Sequence, residues 1–388
     1  MPSFIDRLRD TSLHIDRQIL LASSSAFALG LLLRGFLLIG KRGQIISSPR
    51  ATLLPKLSVE QHAKLPYPPD SLPGARDVET PYGSIRAYEF GPEDGRKVLL
   101  VHGVSTPCLA LGAVAHGLAE KGCRVMLFDL FGRGYSDNPA DLPQDLRLFT
   151  TQILLVLASS PLSWTGTGSD KFSLVGYSLG GGISAGFTSY FPNWIGSLVL
   201  IAPSGVIRPR HFSKTNRILY SEGVIPEPLL LRMVKRRLQT PLYPPKKQPE
   251  VEKVGASEAV QAETNIEYNS TAPLSQSHPD VTIDKAVVHQ VHHHDGFVSA
   301  FMSSIRYGPI QSQHTFWQKI GQHIGPKGEK VLIIAGTTDS IIDKDELLED
   351  ATAAFDGNID FKVIDAGHDV PIAKGNEVVK TIWSFWNP

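Results

Sequence analysis

The stretch LVGYSLGGG, Leu174 to Gly182, joins an apolar half to a glycine-rich one. Phe172-Ser173-Leu174-Val175 reads as a short buried strand, and Gly180-Gly181-Gly182 is poor material for continuing it. Ser178 stands at the junction, inside Gly176-Tyr177-Ser178-Leu179-Gly180, which fits the pattern G-x-S-x-G. That spacing suits a strand that turns sharply into a helix. The serine takes a strained conformation with its Oγ presented, and the glycines remove Cβ atoms that would collide in the turn. A helix expected over 183–190 would aim its free N–H groups at the same place, which favours a developing negative oxygen.

A serine hydroxyl is a weak nucleophile until a base takes its proton, and the base is most often histidine. Of 13 histidines, His368 sits in DAGHDVP just past the last apolar run, which returns it to the strand ends. His102 also follows an apolar run, but within His-Gly, where the backbone is the expected contributor. His292-His293-His294, with His289 nearby, invites a metal reading. Consecutive helical residues point about 100° apart and cannot all reach one ion, so this run is expected at a helix start or on a lid surface. The base needs an orienting carboxylate. Asp339, in IIAGTTDSII, follows a strand; Asp343, Asp345 and Glu346 read as the start of the next helix, and Asp369 adjoins His368 too closely to bond its ring. The catalytic candidates are therefore Ser178, Asp339 and His368, in that chain order. Backbone donors for an oxyanion are expected from Leu179 and, by position in HGVST, from Val104.

Other apolar runs share this rhythm. Val98–Val101, Val125–Phe128, Leu198–Ile201, Val331–Ile334 and Phe361–Ile364 are apolar or nearly so throughout and end in polar or glycine-bearing turns. Continuous apolar runs suit central strands covered on both faces. The fold class is read as α/β, a doubly wound, mostly parallel sheet with a helical cap inserted after the sixth core strand. Ligands of such sheets bind beyond the carboxyl ends of the strands, where the polar residues above fall. The expected organisation is a core over 80–203 and 330–388, a cap over 204–329, a Pro-rich linker over 43–79 and an N-terminal anchor over 1–42.

The anchor rests on Ile19 to Gly40, 22 residues with one charge, Arg34. As a helix this stretch would be about 33 Å long, against a bilayer core of about 30 Å. Three serines, three glycines and Arg34 leave open a helix lying on the membrane or buried in protein. Lys+Arg and Asp+Glu both total 38, so no global basic field points to nucleic acid. Two cysteines make neither a disulfide framework nor a metal cluster. Arg232, Lys235, Arg236 and Arg237 in the cap read first as a solvated lid helix; beside an anchor they would also suit a lipid-like substrate.

Five motifs in order, VHGVS (Val101–Ser105), FDLFGRGYSD (Phe128–Asp137), GYSLGGG (Gly176–Gly182), GTTDSI (Gly336–Ile341) and GHDVP (Gly367–Pro371), resemble those of α/β-hydrolase-fold serine hydrolases. The resemblance covers residues 80 to 388; the whole arrangement is more loosely similar to fungal membrane-associated members. It implies acyl transfer through an acyl-enzyme on Ser178, with an ester, thioester, amide or lactone of an apolar molecule or lipid as substrate. It implies no metal or organic cofactor. In it Asp129, Gly132, Gly134 and Ser136 hold a structural turn. An acyltransferase, a carbon–carbon bond hydrolase and a non-catalytic binding protein of the same fold are the alternatives. The loop after His102-Gly103 lacks the later glycines usual there.

Overall fold

The computed structural model describes residues 23–30, 44–166, 171–212, 223, 225–239 and 273–388. The chain divides into two units, Met1–Gln44 and Ile45–Pro388. In the first, residues 23–30 are helical, with Phe27 and Leu29 exposed. The rest of the expected anchor at 19–40 lies outside the described residues, and among those described no helix is long and apolar enough to cross a membrane.

The second unit is built on eight strands. They are β1 (Ala75–Thr80), β2 (Gly83–Phe90), β3 (Lys97–Val101), β4 (Arg124–Phe128), β5 (Phe172–Tyr177), β6 (Ile195–Ile201), β7 (Val331–Gly336) and β8 (Ile359–Ile364). Their order across the sheet is β8-β7-β6-β5-β3-β4-β2-β1. From β8 to β4 all neighbours run parallel; β2 and β1 add antiparallel pairs at one edge. Every residue of β5 and β7 is buried, as strands covered on both faces require. The covering helices α1 (Gly112–Glu120), α2 (Leu146–Ala158) and α3 (Leu179–Tyr190) follow β3, β4 and β5. Asp145 caps α2 by accepting from the Arg147 and Leu148 amides. Between β6 and β7 come α4 (Glu227–Gln239), α5 (Ile283–His293), α6 (Phe297–Tyr307) and α7 (His314–Ile324). α8 (Lys344–Ala354) and α9 (Gly375–Trp386) complete the layers.

The structure differs from the expected organisation in two places. Residues 43–79 are not a free linker. Tyr67 and Leu72 are buried in the core, the Tyr67 ring stacks on Tyr135, and 75–80 form strand β1. The edge strand escapes a sequence reading because its side chains alternate between half-buried and exposed and give no apolar run. The excursion after β6 is also shorter than 204–329. The Gly205 amide donates to the Ile310 carbonyl and the Gln313 amide to the Gly205 carbonyl, which closes the neck of the insertion. α7 lies beyond that neck and packs on α3 and α8, with Trp317 buried and stacked on Phe355. It is a layer of the core. Residues 213–222, 224 and 240–272 of the insertion, and the side chain of Arg237, lie outside the description.

Candidate active site

Three strands end at one place. Ser178 follows β5 directly, Asp339 lies three residues past β7, and His368 four past β8. The structure brings the three sequence candidates together. The His368 ring places Nε2 2.9 Å from the Ser178 Oγ and Nδ1 2.8 Å from the Asp339 Oδ2. The Asp339 Oδ1 accepts from the Ile341 and Ile342 amides at 2.8 and 2.9 Å, so the loop's own backbone fixes the carboxylate. The site is closed: Ser178 is 7% exposed and His368 3%. The Tyr177 ring packs on the imidazole, centroids 5.6 Å apart.

Ser178 has φ +53° and ψ −119°, a backbone that costs a side-chain-bearing residue about 1–3 kcal/mol. Its surroundings hold it there. The Ser178 amide donates to the Ile201 carbonyl, and its carbonyl accepts from the Ser204 and Gly181 amides. The helix expected over 183–190 begins at Leu179, so the glycines form its first turn rather than a loop before it. A Cβ on Gly176 would overlap the Gly180 carbonyl and the Ser184 hydroxyl; one on Gly180 would overlap the carbonyls of Val101 and His102. Backbone faces Gly180 from a buried strand, so nothing there can yield. Gly180→Ala is expected to destabilise the protein by about 3 kcal/mol, read as a lowered midpoint in chemical denaturation.

The same contact sets the loop carrying Val104 against the first turn of α3, where the Leu179 amide stands. The Val104 carbonyl accepts from the Arg133 Nε at 3.1 Å. Arg133 is fully buried and also donates to the Phe131 carbonyl and the Ser304 hydroxyl on α6. Gln290 on α5 accepts from the Gly134 amide at 3.0 Å and donates to the Ser105 carbonyl. Arg133, Gln290 and Ser304 were not among the sequence candidates. No motif marks Gln290 or Ser304; Arg133 stands inside FGRGYSD, whose turn is read from Asp129, Gly132, Gly134 and Ser136 and not from the arginine.

At His102, where the backbone was the expected contributor, the side chain acts as a structural brace. Its Nε2 accepts from the Leu130 amide at 2.8 Å and its Nδ1 meets the Gly103 carbonyl, so the ring is neutral. Burial pushes its pKa down to about 3. Asp129 holds the turn below the site, accepting from the Cys108 and Tyr135 amides, while the Ser136 hydroxyl donates to its carbonyl. The triple histidine lies at the end of α5, not at a helix start. His292 and His293 are exposed, and His294 is buried between the Ser136 carbonyl and the Gly296 amide.

Asp369 is a second buried carboxyl beside His368. Its Oδ1 has no hydrogen-bond partner among the described residues. Burial raises its pKa to about 6, against the pull of backbone amides and of His368. An acid raised in the folded state costs stability once the unfolded chain ionises first. The cost begins near pH 4 and is complete above about pH 6. Asp369→Asn should therefore match the parent in thermal melts below pH 4 and exceed it by a few degrees above pH 7. An equal difference at both pH values would refute this.

A family model described as alpha/beta hydrolase fold matches residues 98–374. Three Mycobacterium proteins without a described function are each 28% identical over 140 residues, 36% of this chain and 38% of theirs. A serine hydrolase-like protein of Danio rerio is 26% identical over 131 residues, 34% of this chain and 38% of its own. The chain thus spans about two fifths of the length of the curated relatives it matches. Among solved structures, a membrane phospholipase A aligns with TM-score 0.54 at 17% identity, over 81% of this chain and 85% of its own. A serine hydrolase involved in carbazole degradation aligns with TM-score 0.54 at 16% identity, over 81% of this chain and 98% of its own. At such identities the structures show a shared fold. With its strand order and the match over 98–374, the chain belongs to the alpha/beta hydrolase fold family.

Proposed function

We propose that this chain is a serine hydrolase acting through an acyl-enzyme. The observation that carries the reading is the chain of two hydrogen bonds, Ser178 Oγ to His368 Nε2 and His368 Nδ1 to Asp339 Oδ2, at the ends of three parallel strands. In the proposed reaction the Ser178 Oγ attacks an acyl carbonyl and His368 Nε2 takes its proton. Asp339 keeps the other ring nitrogen protonated and stabilises the imidazolium. The amides of Val104 and Leu179 receive the oxyanion. His368 returns the proton to the leaving group, and water attacks the acyl-enzyme with His368 again as base.

The proposed substrate is an ester, thioester, amide or lactone of an apolar small molecule or lipid. The dry setting of Ser178 supports an acyl group without charge. The relatives support acyl chemistry in general, since the solved neighbours include a phospholipase A and a thioesterase domain from a biosynthetic pathway. A meta-cleavage product hydrolase among them keeps carbon–carbon bond hydrolysis as the second reading. Attachment to a membrane through residues 19–40 belongs to this proposal too.

Labelling with a fluorophosphonate probe tests it. The parent protein should label, and Ser178→Ala and His368→Ala should not. Absence of labelling in a folded parent would favour the non-catalytic reading. Labelled protein would then be screened on acyl and on carbon–carbon substrates to separate the two chemistries.

A further inference from the structure

Helix α4 is apolar on both sides. Leu230, Val234 and Leu238, spaced four apart, are buried, and the helix packs on α5 and α6, its first turn held by Glu227 paired with Arg306. Its outer side carries Leu229 and Met233, 51% and 48% exposed, between the exposed Arg232 and Arg236. These four follow the i, i+3, i+4, i+7 spacing and form one stripe. Lys235, half-buried, adds a third cation, and His293 on α5 lies close enough to feel its charge. Arg232, Lys235 and Arg236 line a groove of about 680 Å³ with Leu231, Ile46 and a single carboxylate, Asp295.

We propose that the outer side of α4 docks on an anionic lipid surface, Leu229 and Met233 entering the acyl boundary and Arg232, Lys235 and Arg236 meeting headgroup phosphates. A surface of cations interleaved with bulky apolar groups suits a charged interface with hydrocarbon beneath it. A second copy docking by the same stripe across a two-fold axis would bring two patches of like charge together. This inference goes beyond the hydrolase reading and does not depend on the triad.

The test uses the full chain carrying Ser178→Ala, so that lipid turnover cannot disturb the vesicles. Met233→Cys is labelled with an environment-sensitive fluorophore; the native Cys108 and Cys123 are buried. With vesicles of phosphatidylcholine and phosphatidylserine at 7:3, label emission should rise and shift to the blue. The response should fall at high salt and weaken roughly tenfold or more in Arg232→Glu/Arg236→Glu, and in part in Arg232→Gln/Arg236→Gln. Three outcomes would overturn the proposal. The label could stay in water while the protein floats with the vesicles. Phosphatidylcholine alone could give the same shift. The shift could grow with protein concentration or with polyglutamate in the absence of lipid, which would point to a second copy or an acidic protein.

Discussion

Ser178→Ala should lower turnover of an activated acyl ester by roughly ten-thousandfold or more while leaving the thermal melt near that of the parent. The first half follows from the site. The Oγ is the hydroxyl that meets His368 Nε2, 2.9 Å away at the end of β5. The second half follows from the turn. Alanine accepts the same φ of +53° at about the same cost as serine and keeps the amide bond to Ile201 and the carbonyl bonds from Ser204 and Gly181. A variant that folds and retains more than about one part in a hundred of the activity would remove Ser178 from the mechanism.

Asp339→Asn should cost nearly as much, about ten-thousandfold in kcat, for a different reason. The Ile341 and Ile342 amides both donate to one carboxylate oxygen, so in the variant they select the amide oxygen for that position. The NH2 group is then forced to face His368 Nδ1, where Asp339 has an acceptor at 2.8 Å. Two donors cannot meet there. The ring must move its proton to Nε2, which then faces Ser178 as a donor and cannot take the hydroxyl proton. Folding should survive, because both loop bonds persist. The check is kcat together with a melt, and a loss below tenfold would show that the ring tautomer is not set by residue 339.

The residues legible in the sequence were those whose local conformation needs a particular side chain. Ser178 announces itself because its turn excludes Cβ atoms on both sides; Asp339 because it follows a continuous apolar strand, and His368 because it follows the last partly apolar run, an edge strand in the structure. Strand β1 was hidden for the opposite reason. It lies at an edge, half wet, and carries the alternation of any exposed segment. The neck at Gly205 and Gln313 was hidden because two backbone bonds between positions over 100 residues apart leave no mark on composition. Arg133 shows the limit most sharply. Among its contacts are donations to two backbone carbonyls and to the Ser304 hydroxyl, so its burial becomes legible only once α6 is folded over it.

The contacts of Arg133 and Gln290 have a consequence for anyone who would redesign this protein. The excursion between β6 and β7 invites treatment as a cassette, to be exchanged for another so that the substrate range changes while the chemistry stays. Its helices, however, lend two side chains to the floor beneath them: Ser304 receives Arg133, which grips the Val104 carbonyl, and Gln290 clasps Gly134 to Ser105. A transplanted excursion without equivalents at those two positions would remove supports from the loop carrying Val104, even if every residue of the triad stayed in place. Chimaeras of this chain should therefore be cut so that 290 and 304 travel with 104, 105, 133 and 134 as one inherited block.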